Sequence, residues 1–160
     1  TAAGSDEVEF LISTNPGSIP PRPLGEVASG GELSRIMLAI KTVLADTDDI
    51  PTLIFDEIDT GISGRTAQKV SEKMAVIGQH HQVLCITHLP QIAAMADSHF
   101  EIEKHLQGTE TITQIHVLEE DDSIRELARL LGGAEITSAV FENAKEMKEL
   151  AQVHKNTRLK

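Results

Sequence analysis

A chain of 160 residues, 40% of them hydrophobic, is long enough to bury one core. It holds no window of about eighteen uninterrupted apolar residues and no signal-peptide pattern, so no membrane span or secretory leader is expected. The formal net charge of −11, from 25 acidic residues against 14 Lys and Arg, repels a phosphate backbone, so the chain alone makes a poor main DNA-binding face. Aromatics are only 2% and Trp and Tyr are absent, so the core must be aliphatic. The single cysteine, Cys85, excludes an intrachain disulfide and is compatible with a reducing cytoplasm. The chain opens on Thr1 rather than Met, as a processed or excised piece would.

In chain order, the run VEFLIS, Val8 to Ser13, reads as a short strand. Residues 15–25 hold four of the six prolines and two glycines, a composition for a stiff surface loop rather than a helix or an inner strand. The loop delivers the chain to ASGGELSR, from Ala28 to Arg35. There Ser29 and Glu32 form a capping-box pattern ahead of Leu33, Ile36, Met37, Ile40 and Leu44, so a helix starts near Ser29 with Gly30 and Gly31 in its first turn. Glycines at that place bare backbone N–H groups and let another body come close, which suits an anion. The same pattern also serves a helix that is merely well capped.

Residues 46–50, DTDDI, form a polar turn, and Thr52 to Phe55 reads as a buried parallel strand ending abruptly in Asp56 and Glu57. Two adjacent carboxylates at a buried strand's end call for a divalent cation or hydrogen-bond donors. After a loop with Gly61, Ser63 and Gly64, Thr66 to Ile77 reads as a helix with Ala67, Val70, Met74 and Ile77 on one stripe, ended by Gly78. Val83 to Thr87 is a second buried strand, running to His88 and Pro90. Strand, helix and strand of these lengths make a βαβ unit with parallel strands. Asp56, Glu57 and His88 therefore fall on one carboxyl edge of one sheet, where ligands bind in open α/β folds. Alone, His88 could equally cap a strand or bond a carbonyl.

His80 and His81 sit in a polar turn and read as solvated, and Cys85, between apolar neighbours, reads as core. Gln91 to Ala96 is a short helix, and His99 to Lys104 and Thr111 to Leu118 flank Gln107, Gly108 and Thr109 as a β-hairpin, either scaffold for the βαβ unit or a continuation of its sheet. The acidic run Glu119 to Asp122 reads as a solvated turn before a helix whose capping box is Ser123 and Glu126. That helix carries Ile124, Leu127, Leu130 and Leu131 and stops at Gly132 and Gly133. A last helix from about Thr137 sets Val140, Phe141, Ala144, Met147 and Leu150 at helical spacing, before a basic, frayed tail from His154 to Lys160. The expected architecture is a single α/β domain over residues 1–160, with a parallel βαβ core, a β-hairpin and two closing helices.

Three strings in this order resemble the motifs of ABC-type ATPases: ASGGELSR the signature motif, PTLIFDEID the Walker B strand with its glutamate, and ITH the switch histidine. The fuller strings VEFLISTNPG, VASGGELSRI, IFDEIDTGISG, CITHLPQIA and ELARLLGG resemble the C-terminal part of the RecN family, SMC-like ATPases of bacterial double-strand-break repair. The resemblance implies the C-terminal lobe of a P-loop NTPase head in a cytoplasmic, nucleoid-associated protein. In it Asp56 would hold Mg²⁺ through water, Glu57 would orient the water attacking the γ-phosphate of ATP, and His88 would sense that phosphate. Ser29, Gly30, Gly31 and Glu32 would bind ATP held by a second head of a homodimer, with Asp59, Gly61 and Ser63 at the dimer seam. Many ABC proteins have an aspartate where Ser63 stands here.

No G-x-x-x-x-G-K-[ST] string occurs, so the phosphate cradle is expected from an N-terminal P-loop lobe of the same protein, and the chain alone is expected to be inactive. DNA is a partner expected of the intact protein rather than of this acidic chain. Two other classes stay open: an assembly module that pairs heads without chemistry, and a stand-alone carboxylate–histidine hydrolase with its own metal.

Overall fold

The computed structural model describes residues 4–6, 8–13, 20–27, 29–45, 49–108, 110–133 and 135–158, without the side chains of residues 27 and 158. Leu11–Ile12 (β1) and Arg22–Pro23 (β2) form a short antiparallel pair that runs into one helical turn, Leu24–Val27 (α1). The long helix Gly30–Leu44 (α2) precedes the unit Thr52–Phe55 (β3), Gly64–Ile77 (α3) and Gln82–Cys85 (β4). After the short helix Pro90–Ala93 (α4) come the hairpin strands His99–Gln107 (β5) and Glu110–Leu118 (β6), then the helices Glu120–Gly132 (α5) and Ser138–Arg158 (α6).

β3 and β4 pair in parallel, from Thr52 opposite Gln82 to Phe55 opposite Cys85, as their strand–helix–strand order requires. The stripe Ala67, Val70, Met74 and Ile77 buries α3 against Leu53 and Phe55 of β3, with Leu38, Ile58 and Ile92 completing this cluster. A second cluster joins Ala93, Ala94 and Met95 to Ile124, Leu127 and Ala128 of α5 and to Ala144 and Ala151 of α6. Mostly small and aliphatic side chains make both clusters, with Phe55 the one buried aromatic among the described residues, in keeping with the scarcity of aromatics. Among the described residues no helix is long and apolar enough to cross a membrane.

Several sequence expectations are corrected. The strand expected over Val8 to Ser13 shrinks to Leu11–Ile12, and the end of the proline-rich stretch is ordered as β2 and α1 rather than as loop; Pro23 sits at the end of a two-stranded pair, where its missing N–H costs little. Residues 15–19 of that stretch, 46–48 of the DTDDI turn and Thr109 of the hairpin lie outside the described residues. The hairpin forms a two-stranded sheet of its own and does not continue the β3–β4 sheet. α5 starts at Glu120 rather than Ser123, so the acidic run is its first turn, where negative charge complements the helix dipole. Ser123 lies inside that helix, buried, with its Oγ 2.9 Å from His99 Nδ1, and Glu126 pairs with Arg129 instead of capping. α6 continues through the expected frayed tail to Arg158 and is pinned by the Lys155–Asp97 ion pair; Leu150 faces solvent and Ala151 is the buried residue.

Burial departs from the sequence expectation at β3–β4 and at His81, and it settles which face of α2 is inward. β3 and β4 bury only one face: Ile54, Leu84 and Ile86 on the other are 68%, 46% and 56% exposed. On α2 the apolar series faces outward, with Leu33, Met37, Ile40 and Leu44 all exposed, while Gly31 and Leu38 face the core. His81 is not solvated but buried, with Nδ1 2.7 Å from the Ile50 carbonyl and Nε2 3.1 Å from the Ala45 carbonyl. It ties the chain after α2 to the start of β3.

The His99–Ser123 contact has a consequence for stability. Burial first, then the nearby Lys148 ammonium, hold the His99 ring below the usual histidine value of 6.5, against the opposing pull of Glu126. Above that value the ring is neutral in both folded and unfolded chains. As the pH falls through it, the unfolded chain takes up a proton that the folded one resists, so stability declines until the folded ring titrates too. The melting temperature should therefore drop more between about pH 7.5 and about pH 5.5 in the wild type than in His99→Gln. Thermal denaturation at each pH measures this, and equal slopes would remove His99 as the cause.

Candidate functional site

The first half of the site is the start of α2. Ser29 is its N-cap in an extended conformation, and the capping box is complete: Glu32 N–H donates to Ser29 Oγ, and Ser29 N–H donates to Glu32 Oε2 at 2.9 Å. The Ser29 backbone N–H, followed by its hydroxyl, holds the Glu32 carboxyl below the usual carboxylate range. Gly30 is exposed and Gly31 buried.

The second half is the turn after β3. Asp56 and Glu57 are both exposed rather than buried at the strand end, so neither charge needs a compensating ion to exist there. Asp56 Oδ1 accepts the Glu57 N–H at 2.9 Å. Glu57 has φ +56°, the left-handed region that a side chain with a Cβ rarely adopts, and its carbonyl accepts the Thr60 N–H. Two side chains of α2 hold this turn: Ser34 Oγ donates to the Asp56 carbonyl at 3.1 Å, and Arg35 Nη1 donates to the carbonyls of Ile58 and Thr60 at 3.0 and 2.9 Å. Ser34 and Arg35 were not singled out from the sequence. The available signal was their place one helical turn beyond Ser29 within ASGGELSR, on the side of Gly31 and Leu38.

The glycines explain how the halves fit. A Cβ on Gly31 would lie 2.8 Å from the Glu57 carbonyl oxygen, 3.0 Å from Arg35 Nη1 and 3.1 Å from Thr60 Cβ. On Gly30 it would meet only Glu57 Oε2, at 2.8 Å, the movable end of a side chain. Gly31 thus has a reason to be glycine within its own chain, apart from any role toward a ligand.

The third contribution comes from the end of β4. Asp59 is buried, and its Oδ2 accepts the Thr87 hydroxyl at 2.7 Å, the His88 N–H at 2.9 Å and lies 3.0 Å from His88 Nδ1. Burial pushes the Asp59 carboxyl up, but the Thr87 hydroxyl and then the His88 N–H outweigh it and leave the carboxyl below its ordinary value. Asp59 therefore turns inward, whereas Gly61 and Ser63 are exposed, Ser63 as the N-cap of α3. The His88 side chain is 72% exposed.

Asp56, Glu57 and His88 thus follow the ends of two parallel strands on the same sheet edge, with the α2 start held against the turn between them. Asp56 offers a hard oxygen suited to Mg²⁺, which keeps several waters and takes one or two carboxylates. Among the described residues no three His, Cys, Asp or Glu side chains come together as a protein-held metal centre. Cys85 lies next to this edge, and burial, then the charges of Asp59 and Asp56, push its thiol up to about 12, so it is an inert core group.

The different clashes at the two glycines yield a stability prediction. Gly31→Ala should cost about 1–3 kcal/mol, because backbone must move to admit the methyl group. Gly30→Ala should cost clearly less, since only the Glu57 carboxylate must swing aside. Urea denaturation of both variants checks the order, and a reversed order would contradict the packing described.

No family model matches the chain. It is 50% identical to the DNA repair protein RecN of Halalkalibacterium halodurans over 92% of its own length and 26% of that protein's. It is 48% identical to RecN of Bacillus subtilis over 98% of this chain and 27% of the relative, and 49% identical to RecN of Vibrio cholerae over 90% and 26%. A solved chain from a study of ATP-driven dimerisation and DNA-stimulated activation of SMC ATPases superimposes with a TM-score of 0.50 at 19% identity, covering 78% of this chain and 81% of that one. That likeness concerns the fold. The chain is thus similar to RecN proteins over nearly its whole length, as a segment spanning about a quarter of the length of the relatives it matches.

Proposed function

We propose that this chain is the C-terminal lobe of the ATPase head of a RecN protein, acting in recombinational repair of DNA double-strand breaks in the cytoplasm. The observation that carries the reading is the gathering of two carboxylates and a histidine at the carboxyl edge of one parallel strand pair, with a capped glycine helix start against the same turn. In this reading Asp56 holds Mg²⁺ through water, Glu57 orients and polarises the attacking water, and His88 meets the γ-phosphate of ATP. Mg²⁺, when bound, supplies charge neutralisation on the phosphates. Ser29, Gly30, Gly31 and Glu32 line the helix start that meets ATP held by a second head, the N–H groups of Gly30 and Gly31 lying outside the Ser29–Glu32 capping box, with Asp59, Gly61 and Ser63 near the seam. The phosphate cradle comes from a P-loop lobe elsewhere in the whole protein.

The exposed apolar faces support assembly with such a lobe. Parallel strands are ordinarily covered on both faces, and here Ile54, Leu84 and Ile86 are left open. The solved SMC chain with this fold is described in terms of ATP-driven dimerisation, in keeping with a site completed between heads. DNA contact belongs, on this reading, to the whole protein, because a net charge of −11 makes this lobe a poor surface for phosphates.

Two measurements test the reading. In the full-length protein, Glu57→Gln should cut ATP hydrolysis by about 10²–10³-fold while nucleotide binding survives, and Asp56→Asn should weaken Mg²⁺-dependent nucleotide binding as well. The same loss of binding in both would refute the division of roles. The 160-residue chain on its own should release no phosphate from Mg²⁺ and ATP above background. Robust turnover by it would favour the stand-alone hydrolase instead.

A further inference from the structure

We propose that Asp59 is the positioning residue of His88: its carboxylate fixes the ring orientation and tautomer with which the histidine meets phosphate. The inference rests on the reading of His88 as a phosphate-contacting residue. Asp59 is a buried carboxylate with no part in the chemistry outlined above, and its bonds fall in one place. Two of the three groups on Oδ2 belong to His88 itself, the backbone N–H at 2.9 Å and ring Nδ1 at 3.0 Å, and the third is the hydroxyl of the preceding Thr87 at 2.7 Å. Thr87 Oγ1 in turn accepts the Leu89 N–H at 3.0 Å, which fixes the hydroxyl that fixes Asp59.

One oxygen that binds both the backbone and the ring of a residue closes a small loop through that residue's own side-chain torsions. For a buried histidine, packing would set those torsions, but this side chain is 72% exposed. The Asp59 bond does that work instead. A carboxylate is acceptor only, so Nδ1 must carry the proton and donate, which leaves Nε2, at the far side of an exposed ring, as the nitrogen available to a ligand. A ring that also carries a proton on Nε2 donates there to a phosphate oxygen, with Asp59 balancing the charge. Asp59 lies in the turn that also carries Asp56 and Glu57, and its bonds to Thr87 and His88 tie that turn to the end of β4.

The test uses the full-length protein with ¹⁵N-labelled histidine, and two readouts. Long-range ¹H–¹⁵N correlations, with His88 assigned by its loss in His88→Ala, should show a single tautomer protonated at Nδ1 in the wild type and an averaged ring in Asp59→Ala. Asp59→Asn, whose amide oxygen can still accept, should restore most of the order and guards against an effect of misfolding. In steady-state ATP hydrolysis, Asp59→Ala should lower kcat by at least about tenfold with little change in KM, and should add no further loss in a His88→Ala background. An unchanged His88 tautomer in folded Asp59→Ala would overturn the proposal, and so would an equal loss of kcat in the presence and absence of His88. If His88→Ala alone left turnover intact, the phosphate-contacting role would fall, and the tautomer readout would by itself decide whether Asp59 sets the ring.

Discussion

The turn from Asp56 to Thr60 is the constraint on which the site depends. Five residues reverse the chain at the end of β3, and both flanking elements grip them. Ser34 and Arg35 reach from α2 to three of their carbonyls, and Asp59 reaches from the turn to the end of β4. Gly31 lets the helix close on the Glu57 carbonyl at a distance no side chain would permit. The capping box then has a second purpose beyond stabilising α2. By setting where the helix begins, Ser29 and Glu32 set which residues fall one turn later, and these are the residues that hold the turn.

Much of this was legible in the sequence where local chemistry and tertiary demand agree. The capping box, the bounds of β3, the buried stripe of α3 and the parallel pairing all follow from periodicity and turn residues. At the site, the grouping of Asp56, Glu57 and His88 was accessible because parallel strands share a carboxyl edge. The inward turn of Asp59 was not, because nothing in DEID marks which of its three acidic residues will meet a backbone N–H 29 residues on. His81 was misjudged for a similar reason. A polar turn is solvated unless a neighbouring segment leaves carbonyls to be satisfied, as Ala45 and Ile50 do.

The apolar series on α2 shows a different kind of limit. Its spacing marks a helix but not which face is buried, and the inward face is narrow: glycine, polar groups that bond the turn, and Leu38. Periodicity identifies a face that will be covered but does not say by what. The same holds for the hairpin, where Phe100 and Ile102 stand opposite Val117 and Ile115 on an exposed face, while Glu101 and Glu103 lie on the side that feels Arg129. A segment a quarter as long as its relatives leaves such faces open, and their apolar character is what a larger assembly would require.

The left-handed backbone at Glu57 puts folding and chemistry in opposition at a single dihedral. Glycine or asparagine would occupy that conformation more comfortably, at a gain of about 1 kcal/mol or more. A library of this segment screened only for heat resistance or soluble yield would therefore drift toward those residues and discard the carboxylate proposed to orient the attacking water. On the proposed reading, an engineer raising the robustness of this lobe should hold position 57 fixed before optimising anything else.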